Sequence, residues 1–273
     1  MSQSLLLSQG KLEAFLTCQR RFYLRSLRRL PWPAAPLGDE SEDALARGQQ
    51  FHRVMERHFL GLDIAPEEID DGRVQHWWQV FRTSHLAVPS GQRLPEHRLT
   101  VPLGGHLLLG RFDLLVVGER DGRPFAHIFD WKTGRARPEN KLRQDWQTRL
   151  YLALLAEGGG ALWAQGGNGR SLSPDRVSLT YWYAAEPDTP RTIRYTSAWH
   201  AQNWADIQAI VAQIDAALAK DDWPLTDDSA ECPHCAYQVY CGRQAAGPSN
   251  LPLPAEVEAS DEEDFLALEP QTP

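Results

Sequence analysis

Two short runs, Gly110–Asp113 and Asp130–Lys132, place two carboxylates and a lysine on stretches that the residue pattern predicts to be neighbouring strands. Apolar residues dominate around both runs, and residues 121–124 between them have the composition of a turn. A carboxylate within a buried strand is costly unless it is paired or binds a cation. Asp130 and Lys132 share one face of their strand, because strand side chains alternate with period 2. The two runs therefore predict a site for a hard divalent cation beside a fixed positive charge.

Periodicity predicts helices followed by three strands, another helix and further strands along the chain. Gly104-Gly105 separates two of the strands and is typical of a two-residue hairpin turn. This order predicts the α/β class: one core with a central mixed sheet, wrapped by N- and C-terminal helices. The predicted strands are 94–103, 106–117, 125–132, 177–184 and 191–195, and the predicted helices are 8–18, 20–30, 41–60, 70–84, 141–157 and 199–220.

Composition places the chain among globular proteins and argues against a membrane span. Hydrophobic residues make up 42% of the 273 residues and charged residues 23%, which is ordinary for a soluble protein. No apolar run approaches the roughly 20 residues that cross a bilayer. The first ten residues show neither a basic region nor a small-residue cleavage site, so we expect a cytoplasmic protein.

The net charge of −8 argues against a nucleic-acid partner, but its distribution along the sequence argues for one. Residues 249–273 hold seven acidic side chains and no Lys or Arg; without them the net charge is −1. Residues 1–30 hold six basic side chains against Glu13, and residues 131–149 hold six against Glu139 and Asp145. Two basic segments on a nearly neutral body fit a phosphate-binding face, although solvated helix faces would give the same pattern.

The chain has four cysteines, Cys18, Cys232, Cys235 and Cys241, of which the last three form C-x2-C-x5-C. Cytoplasmic chains rarely keep disulfides, and closely spaced thiols suit a soft metal. Four thiolates could hold a [4Fe-4S] cluster or a zinc ion. His234 could instead complete a Cys3His zinc site and leave Cys18 free. The spacing alone leaves cluster, zinc and no metal open.

Taken together, these motifs resemble the PD-(D/E)XK nuclease superfamily. Within it they are most similar to the RecB-like branch that carries an iron–sulfur cluster, which includes CRISPR-associated adaptation exonucleases and the AddB nuclease domain. The resemblance covers about residues 8–243, and Gln19 departs from it, because proline commonly follows the first cysteine. The matching pieces, in order, are Cys18–Tyr23, His52, Gly110–Asp113, Asp130–Gly134, Gln147–Tyr151 and Cys232/Cys235/Cys241.

The resemblance implies a restriction-endonuclease-like core in a single nuclease domain over residues 1–246. It favours a [4Fe-4S] cluster on the four cysteines, which would tie the N-terminal and C-terminal helical segments together. The acidic residues 247–273 fall outside it, and we expect them to be disordered.

The residues also suggest their roles. We expect Asp113 and Asp130 to bind Mg²⁺ or Mn²⁺, with the backbone carbonyl of Trp131 as a third ligand. The resemblance adds His52 as a ligand, and an imidazole suits Mn²⁺ somewhat better than Mg²⁺. Lys132 would orient the attacking water and offset charge at phosphorus.

Three further side chains are candidates for the same site. Gln147 and Tyr151 lie four residues apart on one helix face, and the resemblance implies that they line the site and contact DNA or Lys132. Glu96, which precedes the Gly104-Gly105 hairpin, is an additional acidic candidate.

The leading hypothesis is a divalent-metal-dependent DNA nuclease, an exonuclease on single-stranded or free ends, in repair, recombination or CRISPR-type processing. Its partners would be DNA and a helicase or another repair or CRISPR protein. The first alternative is a DNA-binding iron–sulfur subunit whose partner supplies catalysis, and the second is a redox sensor that uses the cluster.

Overall fold

The strands form a six-stranded mixed sheet with helices packed on both faces. The structure is a computed structural model that describes residues 4–30, 39–163, 172–233 and 235–243. The strands are β1 (Leu6–Leu7), β2 (Gln92–Leu103), β3 (His106–Arg120), β4 (Arg123–Lys132), β5 (Val177–Tyr183) and β6 (Arg191–Arg194). The α-helices are α1 (Gln9–Thr17), α2 (Gln19–Phe22), α3 (Asp39–Phe59), α4 (Gly72–Thr83), α5 (Glu139–Leu142), α6 (Trp146–Gly158) and α7 (Ser197–Lys220).

Strand β3 organises the sheet, because it changes partner along one of its edges. On one edge it pairs antiparallel with β2 over almost its whole length. On the other edge, Leu107 and Leu108 pair parallel with β1, and pairing with β4 begins only at Leu114. Strand β4 continues the sheet through a parallel pairing with β5, and β5 pairs antiparallel with β6. The sheet is therefore mixed, as predicted, and β3 has a gap between its two partners on that edge.

Two hydrophobic cores cover the two faces of this sheet. The first core packs α1, α6 and α7 against one face, with Leu150, Leu154 and Ile207 fully buried. The second core packs α3 and α4 against the other face, with Phe51 and Trp182 fully buried. Helices on both sides explain why most positions of β4 and β5 are buried, since both faces of these strands are covered.

The N-terminal helices contact the C-terminal segment that carries the last three cysteines. The Arg20 amide donates to the Pro224 carbonyl at 3.2 Å. The Tyr237 hydroxyl donates to the Leu30 carbonyl at 2.8 Å. Trp223 stacks on Tyr23 with ring centroids 5.4 Å apart. The ends of the described chain are thus joined by polar and aromatic contacts beyond any contribution from a metal.

Local structure differs from the predictions in three places. The predicted helix 20–30 is an α-helical turn followed by a π-helical turn over Tyr23–Leu27. The predicted helix 141–157 is broken between α5 and α6, where Asp145 has extended backbone and Arg137 binds its carboxylate at 2.7 Å. The short strand β1 was not predicted, because two residues carry no readable periodicity. His234 and residues 247–273 lie outside the described residues.

Among the described residues, no helix is both long enough and apolar enough to span a membrane.

Candidate active site and thiol cluster

Asp113 lies in the gap where β3 has left β1 and has not yet paired with β4. Gly110 allows the first core to close over this gap: a Cβ there would lie 2.7 Å from Leu154 Cδ1 and 3.2 Å from Phe112 Cε1. Leu154 is fully buried and has little room to move. The glycine of Gly110–Asp113 is thus required by close packing against α6.

Glu96 stands opposite Asp113 on the neighbouring strand. Pro95 pairs with Leu114 and His97 with Phe112, so the same register puts Glu96 across from Asp113. Glu96 has a left-handed φ of 49°, a conformation that costs free energy for a residue other than glycine. Strained backbone of this kind often occurs at functional sites, and here it lies beside a buried carboxylate.

Asp113 is held by two donors from different elements. The Trp131 amide of β4 donates to Oδ2 at 2.8 Å, where the backbone pairing of β3 with β4 has ended. His52 of α3 places Nδ1 3.3 Å from Oδ1. Burial opposes ionisation of Asp113, but His52 and the Trp131 amide outweigh it and lower the pKa of this carboxyl. Burial likewise lowers the pKa of His52, but the charge of Asp113 outweighs it and raises that pKa overall.

Asp130, Lys132 and Gln147 form a second group of contacts. Lys132 Nζ lies 3.1 Å from Asp130 Oδ1 and donates to Gln147 Oε1 at 3.3 Å. Gln147 Nε2 in turn donates to Asp130 Oδ2 at 2.9 Å. All three side chains are buried. The predicted shared face of Asp130 and Lys132 is confirmed, and Gln147 fixes their geometry from the first turn of α6.

Asp130 keeps an oxygen that could bind a cation. Its Oδ1 is buried and, within the described residues, no donor is aligned to hydrogen-bond it, although the Lys132 ammonium lies close. Burial and the charge of Asp113 raise the pKa of Asp130 to about 6, against the opposing effect of Lys132. An incompletely satisfied buried carboxylate is the environment that a divalent cation would complete.

Two tyrosines close the site from the side of the first core. Tyr151 packs its ring edge-on to Phe112, with centroids 5.0 Å apart. Burial and the nearby carboxylates raise the pKa of Tyr151, so it stays neutral. Tyr181 stands opposite Asp130 in β5, donates to Gln147 Oε1 at 3.2 Å and places its ring 5.7 Å from Lys132 Nζ.

One set of ligand atoms is close enough to share a cation. Atoms of His52, Glu96 and Asp113 all lie within 4.8 Å of one another. Burial and the charge of Asp113 raise the pKa of Glu96 to about 7, the response expected of carboxylates crowded together without a cation. Oxygen-rich sets with one imidazole suit Mg²⁺ or Mn²⁺, so these residues fit the predicted metal. The Trp131 side chain lies in the second core, so only its backbone can serve the site.

The four cysteines line a single cavity between α2 and the C-terminal segment, together with Arg21 and Arg243. Arg243 Nη1 lies 3.5 Å from Cys232 Sγ. Burial raises the pKa values of the Cys235 and Cys241 thiols. Thiols that are buried together ionise readily only when a cation compensates them.

Either of two metal centres could occupy this cavity. A tetrahedral zinc ion would need sulfurs about 3.8 Å from one another, given Zn–S bonds of about 2.3 Å. A [4Fe-4S] cluster distributes four thiolates over four irons, so a cavity lined by all four cysteines also fits it.

Comparison with known proteins identifies the family. The family model described as the PD-(D/E)XK nuclease superfamily matches residues 6–242. The chain belongs to this superfamily. Its mixed sheet flanked by helices is consistent with the restriction-endonuclease-like fold predicted from the sequence.

Solved structures resemble the chain distantly. A protein of Eubacterium rectale named as a candidate exonuclease shares 12% identity over 90% of this chain and 91% of its own, with a TM-score of 0.47. SSO0001 shares 14% identity over 90% of each chain, with a TM-score of 0.40. No curated protein matches this chain significantly.

Basic residues that were predicted to form a phosphate-binding face of the PD-(D/E)XK domain instead pair largely with acidic side chains. Within residues 131–149, four of the six basic side chains have an acidic partner in the protein, so this segment offers less charge to a phosphate than the sequence indicates. The pairs are Lys132–Asp130, Arg137–Asp145, Arg143–Glu139 and Arg149–Asp206.

The structure brings the predicted catalytic residues of this PD-(D/E)XK chain to one place: Asp113, Asp130, Lys132, Gln147, Tyr151 and His52, with Glu96 beside them. Sequence reasoning missed Tyr181, because only the β4–β5 register puts it opposite Asp130. It also missed Arg111, whose Nε lies 3.4 Å from Glu96 Oε2.

Proposed function

We propose that this protein is a divalent-metal-dependent DNA nuclease. The observation that carries the proposal is the meeting of His52, Glu96 and Asp113 within cation-binding distance, beside the buried Asp130–Lys132 pair. Membership of a nuclease superfamily supports it. Hydrolysis would add water across a phosphodiester: a P–O bond to water forms, the P–O bond to one sugar breaks, and that sugar oxygen takes up a proton.

His52, Glu96, Asp113 and Asp130 would hold the cation, with the Trp131 carbonyl as the proposed backbone ligand. A bound divalent cation would supply Lewis-acid polarisation of the phosphoryl group. Lys132 would offset the negative charge that develops at phosphorus, and its position is fixed by Asp130 and Gln147.

Side chains around this group would hold it in place. Gln147 keeps the lysine and the carboxylate in one geometry, while Tyr181 and Tyr151 shield that geometry from water. Preorganised charge of this kind commonly contributes 10²–10³-fold to a rate.

The proposal extends to the RecB-like iron–sulfur branch. The four cysteines would hold a [4Fe-4S] cluster, and its role would be structural, because the cavity lies between the N-terminal helices and the C-terminal segment. The presence of Cys18 in the same cavity as the other three cysteines supports a centre that uses all four thiolates. Cysteines that serve a metal centre and not disulfides suit a reducing compartment, so we keep the expected cytoplasmic location as part of the proposal.

The proposed substrate is DNA with single-stranded or free ends, in repair, recombination or CRISPR-type processing, with a helicase or another such protein as partner. A site set in the gap of β3 supports a single strand, because both α3 and α6 border it. Glu96 and Asp113 are only partly exposed, so a rigid duplex would have limited access to them.

An anaerobic nuclease assay tests this function. Single strands and duplexes labelled at the 5′ or 3′ end are incubated with Mn²⁺ or Mg²⁺, and the wild type is compared with Asp130→Asn. We expect a metal-dependent product ladder that the variant does not produce, and the label that shortens first gives the polarity.

The matched control is Asp206→Asn, which also removes a carboxylate paired with a basic side chain but lies outside the site. Cleavage retained in Asp130→Asn would refute the site assignment. DNA binding without any cleavage by wild type with its cluster intact would support the DNA-binding subunit instead.

A further inference from the structure

We propose that Arg98 and Arg111 form a phosphate-binding subsite next to the catalytic group, where a nucleic-acid strand lies along the exposed face of the β2–β3 ribbon. The inference rests on the proposed function. It assigns the residues that bind the phosphate next to the scissile phosphate. Arg111 lies within the Gly110–Asp113 run but is neither its glycine nor its carboxylate, and Arg98 lies outside the matching motifs.

Strand register places the two arginines together. Arg98 and Arg111 are direct partners in the antiparallel β2–β3 pairing, so their side chains share one face of the ribbon. The neighbouring pair, Leu99 with Gly110, is buried in the first core, so the arginines face the other way. Arg98 is exposed, and 28% of the Arg111 side chain is accessible.

The same face leads directly into the catalytic group. Two residues along each strand, Glu96 stands opposite Asp113, and Arg111 Nε reaches Glu96 Oε2 diagonally at 3.4 Å. Two strand residues span about 7 Å, a separation comparable with that of successive phosphates along a nucleic-acid strand. A strand whose scissile phosphate lies at Asp113 would therefore present its next phosphate to the arginines.

Arg111 contacts Glu96, and Arg98 projects from an exposed position on the same face. Guanidinium groups bind phosphate oxygens in a bidentate manner, so the pair matches a phosphodiester.

Beyond the arginines, most side chains on this face of the ribbon are exposed within the described part of the chain. Thr100 pairs with Leu109 and Pro102 with Leu107, and Leu107 is 41% exposed. The face therefore continues outward from the arginines as an accessible strip. Its occupant would be the sugar–phosphate backbone of a single strand, because positive charge is concentrated at the end nearest the catalytic group.

The test measures the affinity of the full chain, with its cluster intact, for a short fluorescein-labelled single-stranded DNA in EDTA, as a function of salt. Fluorescence anisotropy is compared between wild type and Arg98→Gln/Arg111→Gln. We expect affinity to fall by about tenfold or more. The slope of log affinity against log salt should shrink by about 0.7 for each lost phosphate contact.

A matched control is Arg120→Gln/Arg123→Gln, which removes the same charge from the other end of the β3–β4 hairpin, where these arginines are also direct partners. Equal losses in both double variants would overturn the subsite, because they would reflect net charge alone.

The single variant Arg98→Gln, at an exposed position, should show part of the loss in affinity with an unchanged melting temperature. Full affinity in this variant would also overturn the proposal.

Steady-state cleavage separates this inference from the proposed function. A subsite predicts that KM for DNA rises more than kcat falls in Arg98→Gln, and that Arg98→Lys recovers part of the loss. If the arginines only offset the negative charge of the carboxylates in the site, metal affinity will change while KM and the salt slope do not. Wild type that binds DNA but never cleaves it removes the proposed function and leaves the subsite standing.

Discussion

At the scale of single residues, Asp130 and Lys132 are charged side chains of the site that lie buried, and burying a charge costs free energy. Both are buried, and one carboxylate oxygen has no aligned hydrogen-bond donor among the described residues. Removing one partner of a buried ion pair strands the other charge and commonly costs about 3–5 kcal/mol. Replacing both partners with uncharged side chains avoids that penalty.

This contrast gives a prediction for stability as well as activity. Lys132→Met should lower the free energy of unfolding by about 2–4 kcal/mol, because Asp130 keeps an uncompensated charge. The double variant Asp130→Asn/Lys132→Met should recover most of this loss and yet remain inactive. Urea unfolding and the nuclease assay are the measurements. A double variant less stable than Lys132→Met would show that the pair stabilises the fold.

At the scale of elements, the partner change along β3 creates the site, and the β4–β5 pairing supports it. The ladder between β4 and β5 carries Asp130 opposite Tyr181 and Lys132 opposite Tyr183. Near its other end, His127 of β4 contacts Thr180 Oγ1 at 2.7 Å and Ser178 Oγ at 2.9 Å. His127 therefore links the two strands that position half of the catalytic group.

Burial lowers the pKa of His127 to about 4, and Arg120 adds to the effect. The unfolded chain has a histidine pKa near 6.5, so between pH 6.5 and 4 it binds a proton that the folded chain excludes. The stability contributed by neutral His127 is complete above pH 6.5 and is lost as the pH falls towards 4.

We therefore expect the wild type to lose about 2–3 kcal/mol more stability than His127→Gln between pH 7 and 4. Urea unfolding of both proteins across this range measures the difference, which cancels the titration of other groups. Parallel stability curves for the two proteins would contradict the assignment to His127.

At the scale of the whole molecule, the chain folds back so that residues near its two ends share one cavity. Cys18 follows α1, and the other three cysteines lie more than two hundred residues later in the sequence. Closing so long a loop costs conformational entropy on folding, and the contacts made at the closure must offset that cost. The Tyr237–Leu30 and Trp223–Tyr23 contacts reinforce the closure.

Removing one thiol should test the proposed staple. Cys18→Ser, purified anaerobically, should lose bound iron together with a large part of its thermal stability, because metal binding and folding are coupled. Iron and zinc analysis and a melting curve are the measurements, and Ser4→Ala, a change in the described but exposed N-terminus, is the control. Wild type that contains zinc and no iron would rule out the cluster, and an unchanged melting temperature in Cys18→Ser would rule out the staple.

The sequence alone determined the α/β class, most helices and strands, and the residue types of the site, because periodicity, turn composition and motif spacing are local properties. It predicted Asp113, Asp130, Lys132, Gln147 and Tyr151, and the structure brings them together. It also predicted the acidic candidate Glu96, but not the left-handed backbone that sets it opposite Asp113.

Only the tertiary structure decided which of these residues touch. Strand register set Tyr181 against Asp130 and Arg98 against Arg111, and register depends on pairing between distant segments. Four of the six basic side chains in residues 131–149 form ion pairs, which offset most of the positive charge predicted for this segment. Glu139 and Asp145 lie within the segment itself, but the pairing of Arg149 with Asp206 of α7 joins residues far apart in the sequence, so a charge count along the chain cannot show it.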